Sequence, residues 1–533
     1  MPTGTARAGT PPPAAHGAAR RAEKSPGTNS PPSSTPRHSP EPAIMSGTIR
    51  GKRKVAVIGG GLAGLAAAAR LAHRGAEVSL FERNPVPGGK LAARAEAGYR
   101  WDLGPSLLTM PHILRELWEE CGEPGEPPLD LVRLDSACRY FWTDGTMIDE
   151  DAAFWRRPEC AALLDHARGL YAISENTFLK EAPDRLLAHA DWRDLAHLRH
   201  FPKIASPRTL AAEVARRFAD PHLAQIFLRF ATYNGSSPYR TPAAFQIIPF
   251  VEAEFGAWFV RGGMEQIPAA LAALARSRGA TLACGVTVDA VRRDGRAFRL
   301  ASGPQDLGRF DAVVCNRDAV AASAELLPEG FRQPPHPRRA PSTSGFVMLL
   351  GLRGTTPGLS HHNILFSDDY PGEFADLFDR RIPPREPTIY VAISSRTDLD
   401  RAPPGDENWF VLVNAPADHP GFDWDREVEA YGERVLDRIA AFGFNDLRDR
   451  IVCRHHFTPS DFKDRDLSWR GALYGYASHG PLAAFHRPPI TVRGLPGFCF
   501  TGGATHPGGG IPLVLRSARI ATDRITRHLA SLS

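Results

Sequence analysis

No apolar run in this 533-residue chain reaches the ~20 positions a membrane-spanning helix needs. The most apolar window, Val55 to Ala69, holds four glycines and is closed by Arg70. The seven cysteines (121, 138, 160, 284, 315, 453 and 499) include no C-x-x-C pair. That spacing argues against zinc or a disulfide framework and for reduced thiols in a cytoplasmic, reducing compartment. There is no basic stripe and no basic run interleaved with aromatics, so nucleic acid is not an expected partner. No catalytic triad pattern and no internal repeat is visible. His361 and His362 diverge as adjacent neighbours and lack a third ligand, so no metal is expected.

What is present fits a globular enzyme. Hydrophobic residues make up 43% and charged residues 23%, enough apolar material for a sizeable core. The length suggests two domains, or one with a large insertion. Of the net charge of +5, residues 1–50 supply most, with six basic side chains against two acidic ones. This stretch is rich in Pro, Ser, Ala and Gly and lacks both apolar periodicity and a secretory core, so it reads as a disordered tail. Met45 opens MSGTIRGKRKVAVIGGG, an alternative start just ahead of the first strand.

The first ordered segment is a βαβ opening. Lys54–Ile58 reads as a buried strand, Gly59 to Gly64 as a turn, Leu62–His73 as a helix and Glu77–Glu82 as a second strand. Gly59, Gly61 and Gly64 have G-x-G-x-x-G spacing: one for the tight turn, one for close approach of a pyrophosphate, one for helix–strand packing. The helix then offers unpaired N–H groups to phosphate. Glu82, ending the second strand, is placed to accept hydrogen bonds from ribose hydroxyls; otherwise it is a surface carboxylate. Strand patterns recur over 281–291, 310–316, 344–352, 388–394, 409–415 and 497–503, with a mostly helical stretch over 105–255 and a last helix from about Pro512 to Ala530.

NAD and FAD share these features. The continuation ERNPVPGGK, with Arg83, Gly88, Gly89 and Lys90, resembles flavoproteins of the class that includes amine oxidases and carotenoid desaturases. The segments YRWDLGPSLLTMP (99–111), RFATYNGSSPYRTPAAF (229–245), FGAWFVRGGMEQIPAAL (255–271), HHNILFSDDYPGEF (361–374) and THPGGGIP (505–512) are similar to motifs of the phytoene desaturase family. The resemblance covers nearly the whole chain after Lys54. It implies FAD as cofactor, Val288 beside the adenine, and Gly503, Gly510 and Ile511 at the flavin. The helix start near Pro512 would set partial positive charge against the flavin ring. The turn Gly262–Met264 is expected near the active cavity.

The implied fold class is α/β: a Rossmann-like FAD-binding domain of the glutathione-reductase/amine-oxidase type with an inserted α+β substrate domain. The FAD domain is expected over 51–150, 256–325 and 490–533, and the substrate domain over 151–255 and 326–489. The implied substrate is an acyclic carotenoid. The stretch ALYGYASHGPLAAFHRPP (472–489) is closest to enzymes of late-pathway substrates, the 3,4-desaturases of hydroxylated carotenoids and the oxidases of thirty-carbon carotenoids. A multi-step phytoene or diapophytoene desaturase, an amine-oxidase-like enzyme and a prenyl-lipid escort protein of the same fold remain alternatives. Oxygen or a quinone would be the electron acceptor, and a lipid-soluble substrate implies a membrane-surface location. His506 is open to two readings, a catalytic contact or an ordinary turn histidine. Asp102 is read as capping its own turn.

Overall fold

The computed structural model describes residues 48–49, 51–175, 208–481, 483 and 487–532, which belong to one unit, Gly47–Ser533. Apart from residues 48 and 49, the expected tail lies outside the described residues, as do 176–207 and part of 472–489.

The chain opens with β1 (Lys54–Ile58), α1 (Leu62–His73) and β2 (Glu77–Glu82), then a hairpin of β3 (Ala93–Glu96) and β4 (Tyr99–Asp102). Three short strands, β5 (Leu131–Arg133), β6 (Arg139–Phe141) and β7 (Met147–Asp149), precede a helical stretch that ends at β8 (Trp258–Val260). Next come α2 (Gln266–Ser277), β9 (Thr281–Cys284), β10 (Ala290–Asp294), β11 (Ala297–Ser302), β12 (Gln305–Phe310) and β13 (Ala312–Cys315). β14 (Ser344–Leu352), β15 (His362–Leu365), β16 (Ile389–Ala392), β17 (Glu407–Ala415), α3 (Trp424–Ala441) and β18 (Ile451–Phe457) form the second half. β19 (Phe498–Phe500) and α4 (Ile511–Ala530) return to the first.

The strands β19-β13-β1-β2-β9 form a parallel five-stranded sheet. A parallel sheet is covered on both faces, which is why VAVI and AVVC are unbroken apolar runs. The small residues of α1, with α2 and α4, pack on one face, and the antiparallel β10–β12 on the other. The second sheet has seven strands, β18-β14-β17-β16-β15-β6-β7, backed by α3.

Several details depart from the sequence reading. The strand expected over 497–503 stops at Phe500, because Gly502 turns with φ +118°. β5, β6 and β7 lie where helix was expected; at three residues each they are too short to establish a period of two. β6 pairs parallel with β15, so residues 139–149, grouped above with the nucleotide half, hydrogen-bond into the seven-stranded sheet. Asp102 caps a distant turn instead of its own: it accepts from the Met264 amide at 2.8 Å and pairs with Arg401 at 3.2 Å.

Arg401 is 1% exposed and also donates to the Gly262 carbonyl at 2.9 Å. It thus joins the β3–β4 hairpin, the Gly262–Met264 turn and the seven-stranded sheet. Burial pushes the Asp102 carboxyl above its ordinary range, and Arg401 opposes that shift. Arg401→Met leaves Asp102 buried without its counter-ion and is expected to cost about 3 kcal/mol in urea unfolding near neutral pH. A carboxyl with a raised folded pKa contributes stability below its unfolded pKa and loses it as pH rises. The deficit should therefore shrink in mildly acidic buffer; a pH-independent deficit, or none, would contradict this role.

Candidate functional site

All five parallel strands deliver their carboxyl ends to one cleft of about 1300 Å³. Its walls include Ile58 and Gly59 after β1, Glu82 at the end of β2, Val286–Val288 after β9, Asn316–Asp318 after β13 and Thr501–Gly503 after β19. Open α/β sheets bind ligands at this edge.

The glycine turn is fixed by contact distances. A Cβ on Gly64 would stand 2.0 Å from the Gly59 carbonyl oxygen, and one on Gly61 would stand 2.8 Å from Asn316 Oδ1. α1 begins without a side-chain cap or an acidic residue in its first turn, and Leu62 and Ala63 line the cleft. Its first amides, apart from that of Gly64, which donates to Asn316 Oδ1, are thus left to an anion. Gly88 and Gly89 lie against this turn: Gly88 donates to the Gly60 carbonyl at 2.9 Å, and a Cβ on Gly89 would stand 3.2 Å from Gly61 Cα. The buried Glu82 carboxylate accepts from the amides of Gly60 (2.6 Å) and Asn84 (2.8 Å). A carboxylate has further acceptor positions for a ribose.

Arg83, Lys90, Val288, Gly503, Gly510 and Ile511 all line the same cleft. Arg83 donates to the Asp464 carbonyl at 3.0 Å, and Lys90 to the Leu473 carbonyl at 2.7 Å. Burial holds the Lys90 ammonium below its ordinary range, against the pull of Asp466 and Asp318. α4 starts at Ile511 with no side-chain cap and no acidic first turn, so a second helix N-terminus meets the cleft. Two expected contributors stand apart. His506 is buried outside the lining, its amide donating to the Pro488 carbonyl at 3.2 Å. The Gly262–Met264 turn is also absent from the lining, being held by Asp102, Asp398 and Arg401.

Three features escaped sequence reasoning. Asn316, directly after β13, donates to the Thr501 carbonyl (3.1 Å) and accepts from the Gly64 amide (3.0 Å). Ser106, next to the cleft-lining Pro105, begins a chain of hydrogen bonds through the Tyr390 hydroxyl to His362 Nδ1. Burial, His361 and Arg229 push the His362 imidazole well down, which keeps it neutral. The third is Arg487, buried directly behind the second glycine run: a Cβ on Gly508 would stand 3.1 Å from its Cζ. It donates to Asn234 Oδ1 (2.9 Å), Ser478 Oγ (3.2 Å) and the carbonyls of Gly503 and Tyr474. Burial pushes its pKa down to about 10, and among the described residues no carboxylate pairs with it. A buried cation without a counter-ion is costly unless an anionic group joins it. Of these three, the sequence offered a signal only for Asn316, a polar residue ending an apolar run. The glycine cradle, Glu82 and the two helix N-termini at the cleft fit FAD.

A family model described as flavin containing amine oxidoreductase matches residues 62–526. The chain is similar, at 34% identity, to a 1-hydroxycarotenoid 3,4-desaturase from a Flavobacterium species, over 89% of this chain and 99% of that one. It is 34% identical to a zeta-carotene-forming phytoene desaturase from Myxococcus xanthus, over 90% of this chain and 95% of the relative. Among solved structures, a cyclohexylamine oxidase from Brevibacterium oxydans aligns with a TM-score of 0.58 and 17% identity, covering 90% of this chain and 100% of that chain; this likeness concerns the fold.

Gly64→Ala forces its new methyl onto the Gly59 carbonyl and is expected to yield protein purified without flavin. Glu82→Ala removes an acceptor and should weaken binding by about 1–3 kcal/mol. Flavin-to-protein absorbance ratios and equilibrium titration check both; wild-type retention in the Gly64 variant would contradict the assigned cradle.

Proposed function

We propose, from the premise that this chain belongs to the flavin-containing amine oxidoreductase family, that it is an FAD-dependent desaturase of an acyclic carotenoid. One observation carries the cofactor half: at the carboxyl ends of the parallel strands the cleft joins a glycine cradle to the N-termini of two helices. The substrate half is supported by the relatives, whose names specify a 1-hydroxycarotenoid and phytoene.

FAD, when bound, supplies the acceptor for hydride from an allylic C–H bond. In this reading the amide end of α1, with Gly59, Gly61, Gly88 and Gly89, holds the pyrophosphate, and Glu82 holds the ribose. Arg83 and Lys90 add positive charge along that wall, and Val288 packs beside the adenine. Gly503, Gly510 and Ile511, at the α4 N-terminus, would lie on the flavin side of the cleft, where the helix end would stabilise negative charge. The chain's remaining task is to hold an apolar rod still and dry. Tyr140, Ile364, Tyr390 and Leu412 are register partners on β6, β15, β16 and β17 and share one sheet face. Two of the four are tyrosines whose hydroxyls are already committed, that of Tyr390 to Ser106 and His362 and that of Tyr140 to Glu150 and Arg229. Such a wall suits a polyene, whose conjugation spreads charge without a strong base. The reading favours a late-pathway substrate, already desaturated or hydroxylated, because a longer conjugated system gives up hydride more readily. Oxygen or a quinone would reoxidise the flavin.

No helix among the described residues is long and apolar enough to cross a membrane. A lipid-soluble substrate nonetheless requires access to a bilayer, so peripheral attachment is part of the proposal. The protein should sediment with membranes and be released by alkaline carbonate; retention after that wash would contradict peripheral attachment. Expression in cells that make neurosporene, lycopene or their hydroxylated forms should yield pigments with longer conjugation. Conversion of phytoene alone would overturn the late-pathway assignment, and inactivity on every carotenoid would overturn the function.

A further inference from the structure

A second pocket, of about 740 Å³, lies outside the dinucleotide cleft. Arg338, Arg339, Arg381 and Arg470 line it, with Leu377 and Phe378 at their side. Surface arginines are ordinarily solvated and need no ligand, but three observations set this group apart.

The first is shape. The arginines surround a concavity whose floor includes Ser342 and Thr343, and Ser342 Oγ accepts from the Tyr474 amide at 3.0 Å. Tyr474 also lines the dinucleotide cleft, so the two sites are one layer of residues apart.

The second is uncompensated charge. Carboxylates nearby are committed elsewhere: Asp418 to Lys463 (2.9 Å), Asp379 to Arg240 (2.5 Å), and Asp376 to Arg380 (2.6 Å) and Arg385 (3.1 Å). Among the described residues, none forms an ion pair with Arg338, Arg381 or Arg470. Arg470 donates instead to the Asp418 carbonyl at 2.8 Å, and His419 bonds the Arg381 carbonyl at 2.7 Å. Burial and the neighbouring Arg381 push the Arg470 guanidinium below its ordinary pKa, against the pull of Asp418.

The third is backbone conformation. Arg381 and Arg470 both adopt left-handed backbone, with φ +57° and +55°. Arg381 terminates the helical turn Asp376–Arg380, a position where glycine is the ordinary residue. Left-handed backbone is sterically unfavourable for a side chain with a Cβ, and such strain concentrates where a side chain is needed. Here both left-handed residues line one pocket.

We propose that this pocket binds a phosphate group, carried on an anionic lipid headgroup or present as free phosphate or diphosphate. Several planar donor forks around one point suit a tetrahedral oxyanion with acceptors on every side. The site would supply charge that a membrane-facing enzyme uses at a bilayer, or it would sense a soluble anion. The proposal does not depend on the carotenoid reading, because its test follows binding and not turnover.

The test uses flavin-loaded, full-length protein, so that the dinucleotide cleft is filled. Inorganic phosphate and diphosphate are titrated calorimetrically at low ionic strength, and vesicles of phosphatidylglycerol in phosphatidylcholine are compared with phosphatidylcholine alone by co-sedimentation. The probe variants are Arg381→Gly and Arg470→Gly, alone and combined. Glycine accepts the left-handed backbone, so their Tm without ligand should be unchanged or raised, while affinity falls at least tenfold. Arg240→Gln, which removes a surface arginine already paired with Asp379, should keep wild-type affinity. Phosphatidylglycerol binding without phosphate binding assigns a lipid source; phosphate binding without vesicle preference assigns a soluble one. No response to either probe, or equal binding by wild type and the combined variant, overturns the proposal.

Discussion

The side-chain amide of Asn316 holds together segments far apart in the chain. It accepts from the Gly64 amide at the start of α1 and donates to the Thr501 carbonyl after β19. Its own backbone amide donates to the Ile58 carbonyl at the end of β1. The glycine spacing follows from this knot. A methyl at Gly61 would stand 2.8 Å from Asn316 Oδ1, and one at Gly64 would stand 3.2 Å from it. With those positions bare, α1 can start against the sheet and direct its amide end at the cleft. With Thr501 held, the second glycine run and α4 arrive from the opposite side. A sheet whose strands come from distant parts of the chain is thereby closed around one binding edge.

Charge follows the same plan. Two helix N-termini, neither with a capping side chain of its own, meet a cleft whose carboxylates, Glu82, Asp318 and Asp466, are already hydrogen-bonded or ion-paired, so the positive potential is left for a ligand. Elsewhere, buried charge is neutralised within the protein. Arg401 meets Asp102 and Glu265, and Arg229 lies between Glu150 and Glu252. The contrast matters because an unpaired buried cation is stable only when something else supplies the anion.

Much of this was legible in the sequence where local rules apply. The βαβ opening, the G-x-G-x-x-G turn and Glu82 each express their role within a few residues, and all lie at the cleft. The nine-residue β14 and β17 announced themselves as long apolar runs. The three-residue strands β5, β6 and β7 did not: partners more than a hundred residues away define β5 and β6, and β7 is defined by its pairing with β6. Arg487 sits in a proline-flanked loop with no periodicity, and only the tertiary fold reveals what its guanidinium meets. His506 illustrates the converse: its motif neighbours reach the cleft, but its own side chain does not line it. A motif locates a loop more reliably than it orients each side chain in that loop.

The central claim is that electrons leave an acyclic carotenoid for the flavin held in this cleft. Anaerobic mixing of the flavin-loaded protein with a hydroxylated acyclic carotenoid in detergent or vesicles tests it most directly. The visible band of oxidised flavin should bleach within a single turnover while the carotenoid spectrum shifts to longer wavelength in equal proportion. A flavin that stays oxidised while the carotenoid is consumed, or that bleaches only with an amine, would contradict it.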